Sequence, residues 1–184
     1  MGFFDWLFGK KKGNRVVDRG PTTIQVGDVV SYDGTDYMVK GRVVFEDGGA
    51  RWYSYKLVDG DDELWLGADD DGMIWMGIFR DIKLHVEEPV GRQIEYEGSV
   101  FELEEKGRAR ATISGETGKK TGFRMKYWDF CDDDDRMISL EQWGEDGIIE
   151  ASFGEEITMD DLVIYPSTES TGGEPGRKRR GQGF

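Results

Sequence analysis

Histidine and cysteine are almost missing from this chain: among 184 residues there is one of each, His85 and Cys131. A lone cysteine excludes an internal disulfide and fits a reducing, cytoplasmic compartment. A lone histidine excludes a metal site built on two histidines and leaves any Ser–His or Cys–His pair a single base to use. His85 follows Lys83-Leu84 and precedes Val86, which reads as the end of a strand, a structural or surface position. Cys131 is followed by Asp132, Asp133, Asp134 and Asp135, whose charge raises a thiol pKa instead of activating it. No stretch approaches the roughly 18–20 apolar residues that cross a bilayer. The opening is not a secretory signal either, because its few apolar residues precede the lysines.

Other motifs are missing as well. Gly115-Glu116-Thr117-Gly118-Lys119-Lys120-Thr121-Gly122 has the ring of a phosphate loop, but Lys120 intrudes and the segment lies between strands, not before a helix. The acidic runs Asp59/Asp61/Asp62/Glu63, Asp69-Asp70-Asp71 and Asp132 to Asp135 do not make a calcium loop. Counting from Asp59, Leu64 stands where glycine is required and Asp70 where the last glutamate belongs. They read as solvated turns. With no catalytic set, metal set or cofactor motif, the expected protein is not an enzyme.

Aromatic residues and negative charge are what the chain has. Aromatics make up 12% of it and the net charge is -14. Residues 1–20 and the tail from Pro166 are both net basic, so residues 21–165 carry all the excess acid. Such a body repels nucleic acid phosphates and anionic lipid, so no specific nucleic acid is expected and contacts with anions fall to the ends.

The middle of the chain repeats itself. Val30, Tyr32, Gly34, Tyr37 and Val39 return as Ile94, Tyr96, Gly98, Phe101 and Leu103, at an offset of 64. Asp71-Gly72-Met73-Ile74 returns as Asp146-Gly147-Ile148-Ile149, and Arg80-Asp81-Ile82 as Glu155-Glu156-Ile157, at an offset of 75. Short strands punctuated by Gly/Asp turns indicate antiparallel β structure. Asp33-Gly34 is a two-residue hairpin signal, and Gly41 marks a bend in the following strand. The expected architecture is all-β: two tandem SH3-like antiparallel barrels, with a single β-sandwich as the alternative. The divisions are residues 1–20 as leader and linker, 21–88 and 89–166 as the two repeats, and 167–184 as a disordered basic tail. Thr158 to Asp161 adds a helical turn before the last strand.

Two candidate sites follow. Phe3, Phe4, Leu7 and Phe8 fall on one face of a short amphipathic helix, with Trp6 at its edge and Lys10, Lys11 and Lys12 just after. That face suits an anionic membrane surface first, then a membrane-associated partner or a second copy of the chain; packing on the β body is the competing reading. Second, Trp52, Tyr53, Tyr55, Trp65 and Trp75 beside acidic turns offer a cage for a polyamine or another small organic cation. The competing reading makes them core residues and cross-strand pairs.

The string Val26-Gly27-Asp28-Val29-Val30-Ser31-Tyr32-Asp33-Gly34-Thr35-Asp36-Tyr37-Met38-Val39-Lys40-Gly41 resembles a bacterial and archaeal family known as domain of unknown function 4178. The aromatic strand Trp52 to Leu57, the Leu64-Trp65-Leu66 that follows, and the opening Met1 to Lys10 are similar to it too. The resemblance implies a cytoplasmic all-β protein associated with phage-shock-type membrane-stress proteins and aminopropyltransferase-like polyamine enzymes. It assigns no catalytic residues. Together these features predict a binding protein or adaptor in envelope-stress physiology, held weakly at the inner face of the membrane by its leader. The alternative is a binder of polyamines or other small cations.

Overall fold

The computed structural model describes residues 19–119, 124–145 and 147–167. The expected amphipathic helix, its lysines and the basic tail from 168 onward lie outside the described residues. Within them the chain builds eleven strands: β1 (Val29–Tyr32), β2 (Thr35–Asp47), β3 (Ala50–Asp59), β4 (Asp62–Asp70), β5 (Ile74–Ile82), β6 (Gln93–Tyr96), β7 (Ser99–Gly115), β8 (Arg124–Cys131), β9 (Arg136–Trp143), β10 (Ile149–Glu156) and β11 (Leu162–Tyr165). A single 3-10 turn, Met159–Asp161, precedes β11 where the helical turn was expected. No helix of the described residues is long and apolar enough to cross a membrane.

Turn chemistry sets the hairpins. Asp33 and Gly34 take φ of 46° and 76°, joining β1 to β2, and Glu97 and Gly98 take 50° and 83°, joining β6 to β7. Two successive left-handed residues match the twist of antiparallel strands, which is why a two-residue connection suffices.

The strands form one closed ring, not two separate barrels. Its order is β2-β3-β4-β5-β10-β9-β8-β7, closed by pairing of β7 with β2. β1 and β11 extend from β2 on one flank, and β6 from β7 on the other. The expectation of two tandem barrels, or of a sandwich, is therefore replaced by a single eight-stranded antiparallel barrel. The reason is where the sheet edges go. β5 does not close onto its own half but pairs with β10, from Gly77↔Glu156 to Ile82↔Ala151. Beyond Gly41, β2 pairs with β7, from Gly41↔Gly115 to Glu46↔Arg110.

A bulge in each long strand makes this closure compatible with the side-chain pattern. In β2 the register shifts between Val39 and Gly41, and in β7 between Leu103 and Glu105. One extra residue reverses which side of the sheet odd-numbered residues occupy. Tyr37 and Val39 thus pack in one cluster, while Val43 and Phe45 belong to another. Likewise Phe101 and Leu103 join a third cluster, whereas Ala109 and Ala111 join Phe45.

Three apolar clusters result. One flanks the ring outside β2–β5, around Ile24, Val30, Val39, Tyr55, Leu57, Leu64, Leu66 and Leu162. One flanks β7–β10, around Phe101, Trp128, Phe130, Ile138 and Leu140, under the Leu84, Val86 and Val90 connection. The third, with Val43, Phe45, Ala111, Met125 and Tyr127, fills part of the ring's interior. Each fully buried side chain of this kind stabilises the fold by roughly 1.5–3 kcal/mol.

The two ends of the described body are held by one carboxylate. Asp28 is fully buried. Its Oδ2 accepts from the Gln25 amide at 2.8 Å and pairs with Arg19 Nε at 2.9 Å, and its Oδ1 accepts from the Ser167 amide at 2.8 Å.

Candidate functional site: the barrel lumen

Strand alternation decides which side chains enter the ring. Across β3 and β4, Trp52 pairs with Asp69, Ser54 with Gly67 and Lys56 with Trp65, and these face inward. On β8 and β9, Tyr127 pairs with Glu141 and Asp129 with Ser139, again inward. Their neighbours Tyr55, Leu57, Leu64 and Leu66 face the first outer cluster.

The inward residues surround a cavity of about 480 Å³, within the roughly 300–1,000 Å³ typical of small-ligand sites. Glycine makes the room. A Cβ on Gly154 would lie 2.3 Å from Phe79 Cδ1, and one on Gly107 would lie 2.6 Å from both Asp47 Oδ2 and the Tyr127 hydroxyl. The aromatic lining falls into two groups. Phe45 stacks on Trp52 with centroids 5.2 Å apart, Trp52 meets Tyr127 edge-on at 5.3 Å, and Trp143 lies 6.1 Å from Phe45. Trp75 and Phe79 are 6.3 Å apart on the opposite strand.

Into this aromatic sleeve project Asp47, Asp69, Asp71, Asp81, Glu105, Asp129, Glu141 and Glu150; among the described residues of its lining the one cation is Lys119, with the inward Lys56 nearby and paired to Glu63. The carboxylates fall at two ends. Asp47, at the close of β2, and Glu105 both accept from the Tyr127 hydroxyl, at 3.2 and 3.1 Å. The hydroxyl has one proton to give, so at any instant it serves only one of these two oxygens. At the other end Glu141 Oε2 accepts from Trp143 Nε1 at 2.9 Å and lies 3.9 Å from Lys119 Nζ, which also pairs with Glu150. Lys119 Nζ stands 5.4 Å from the Trp143 ring centre. Asp129 lies between the ends and accepts from Ser139 Oγ at 2.7 Å.

The electrostatics are those of crowded carboxylates with little water. Burial pushes the Asp129 carboxyl up to about 6, with Glu141 and Glu105 adding to the effect and Ser139 opposing it. Burial raises Glu141 as well, partly offset by Lys119 and Trp143. Burial, then Glu105 and Asp47, raises the Tyr127 phenol. Lys119 is lowered by its own burial, against the pull of Glu141 and Asp81, and Lys56 adds to the lowering. Cys131, at the cavity wall, is raised by burial and by its acidic neighbours. Among the described residues no three His, Cys, Asp or Glu side chains are grouped to hold a metal ion. The lining charges are spread along the cavity instead.

Of the residues singled out for a cation cage, Trp52, Trp65 and Trp75 line the lumen. Tyr53 borders it, but its ring stacks on Tyr55 at 6.3 Å and packs on the first outer cluster. Tyr55 is fully buried in that cluster, on the other side of the sheet from Trp52 and Trp65. Phe3, Phe4, Trp6, Leu7, Phe8, Lys10, Lys11 and Lys12 lie outside the described residues. Sequence reasoning missed Asp47, Glu105, Lys119, Tyr127, Asp129, Glu141 and Trp143. The available signal was an acidic residue at an inward position of an otherwise apolar strand, as in Tyr127-Trp128-Asp129-Phe130 or Leu140-Glu141.

The fold and cavity define a closed eight-stranded antiparallel barrel with an acidic, aromatic lumen. The chain belongs to the family described as Domain of unknown function (DUF4178), which it matches over residues 25–159. It is similar to the uncharacterized proteins Mb2628 of Mycobacterium bovis and Rv2597 of Mycobacterium tuberculosis. Each is 31% identical over 157 residues, covering 80% of this chain and 74% of theirs. No solved structure matches it significantly.

Proposed function

We propose that this protein is a non-enzymatic binding protein whose barrel lumen receives an aliphatic organic cation, a polyamine or a similar amine. The observation that carries the reading is the lining itself: carboxylates spaced along a sleeve of tryptophan and tyrosine rings, with one lysine among the described residues there. Ring faces attract ammonium groups by about 0.5–2 kcal/mol each when water is excluded. Carboxylates crowded in a poorly solvated cavity repel one another, and a cation relieves that repulsion. Anions meet the opposite preference. A compact metal ion fits less well than an extended amine, because the charges do not converge on one point.

The halves that enclose the lumen are read here as copies of one unit. Strands β1–β5 and β6–β10 run in the same order, and the register shifts in β2 and β7 fall 64 positions apart, the offset of the sequence repeat.

Isothermal titration calorimetry tests the proposal, using the full chain with a panel of alkyl monoamines, diamines and spermidine beside the corresponding alcohols. Saturable binding of amines with silent alcohols is the expected result. Absence of heat with every amine refutes the reading.

A further inference from the structure

Lys119 is held where it is by the same irregularity that turns β2 into the barrel. The Glu116 amide donates to the Lys40 carbonyl, at the β2 bulge, at 2.8 Å. Thr117, next along, is buried, and its methyl packs so close over Gly41 that a Cβ there would lie 2.5 Å from it. Thr117 Oγ1 then accepts from the Lys119 amide at 3.1 Å. The lysine side chain is only 18% exposed and ends against Glu141, Glu150 and the face of Trp143. An aromatic face with two carboxylates is the environment an alkylammonium ligand requires. Here the chain supplies the ammonium itself. The opposite end, with Asp47, Glu105, Asp69 and Trp52, has no lysine or arginine among the described residues of its lining, whereas the second inward lysine, Lys56, lies at the Lys119 end and pairs with Glu63.

Resting on the lumen reading above, we infer that Lys119 is a tethered occupant of one of two ammonium positions in the lumen. It thereby makes the site select amines with a single charged head. The ligand's ammonium goes to the Asp47/Glu105 end. Its far end meets Lys119, where a second positive charge is repelled and an alkyl, hydroxyl or acylated terminus is accepted. Like charges brought together at a buried contact cost several kcal/mol, so a monoamine binds at least about tenfold more tightly than the diamine of equal length. Replacing Lys119 by an uncharged residue of similar length empties the second position and leaves Glu141 and Glu150 to a ligand.

The test is calorimetry on the full chain with paired alkyl monoamines and α,ω-diamines, comparing the parent with Lys119→Met, Lys119→Gln and Lys119→Arg, each checked for parental far-UV circular dichroism. The expected result is monoamine preference in the parent and in Lys119→Arg, with diamine affinity rising by about tenfold or more in Lys119→Met or Lys119→Gln. A parent that binds mono- and diamines equally overturns the inference without recourse to any variant. A folded Lys119→Met that keeps the parental preference overturns it too, as does a Lys119→Arg that gains diamine binding. In each of these outcomes amines still bind and the lumen reading stands. Binding of no amine by parent or variants removes the lumen reading itself.

Discussion

Trp52 and Tyr127 meet edge to face, with centroids 5.3 Å apart and planes at 67°. They come from β3 and β8, on the two halves of the ring, so their contact spans the lumen. Trp52 also stacks on Phe45 with planes only 16° apart. Trp52→Ala removes both contacts and one wall of the proposed amine site. Because the ring is only partly buried, the expected loss is about 2–3 kcal/mol, below that of a fully buried tryptophan. Urea denaturation checks the stability. Amine affinity is expected to fall several-fold in calorimetry, in keeping with loss of one cation–π partner.

Asp129 gives the site a pH signature. Its folded pKa is about 6 against an ordinary 3.8, so between about pH 4 and 6 the folded protein holds more protons than the unfolded chain. The contribution of this group is neutral below that window, and stability is lost as pH rises through it. The loss is on the order of 2–3 kcal/mol. Asp129→Asn, which keeps an oxygen for the Ser139 hydroxyl, is expected to be more stable than the parent at about pH 7.5 and equal to it below about pH 4. Thermal unfolding across that range measures the difference.

Amine binding runs the other way. A bound ammonium favours the ionised carboxylate, so affinity rises as pH climbs through about 6 and protons are released on binding. Calorimetry in buffers of different ionisation enthalpy detects that release. The pH dependence flattens in Asp129→Asn.

Gly154→Ala tests the inner wall. Its Cβ would sit 2.3 Å from Phe79 Cδ1 and 2.6 Å from Cε1, against a ring already tilted onto Trp75. Overpacking of this kind typically costs about 1–3 kcal/mol. A lower denaturation midpoint with an unchanged slope is the expected outcome, and an unaltered midpoint contradicts the close contact.

Asp28→Ala removes the acceptor shared by the Gln25 and Ser167 amides and the partner of Arg19. Losing one member of a buried charge pair costs about 3–5 kcal/mol. Hydrogen exchange at Ser167 is expected to accelerate more than exchange in β3 or β8, because the amide loses the carboxylate that ties it to the β body.

Much of the fold is legible in local chemistry. Asp33-Gly34 takes the left-handed pair its type predicts, and the bend anticipated at Gly41 is the bulge between Val39 and Gly41. The closure is not legible locally. It depends on β2 meeting β7 and β5 meeting β10, pairings between residues far apart in the chain, and bulges at Lys40 and Glu104 that reverse the face of every later residue. The same reversal hides the site. Barrel strands here are covered on both sides, so Trp52 and Tyr53 look equivalent in sequence although one enters the lumen and the other stacks on Tyr55. The lumen carboxylates come from separate strands, and only the ring brings Asp47, Glu105 and Asp129 to one space.

The buried carboxylate at residue 28 fixes where the described chain meets and leaves the β body. Arg19 and Ser167 converge on it, so the polypeptide joins and departs the β body at neighbouring points. One substitution at that carboxylate therefore loosens both borders of the described body together.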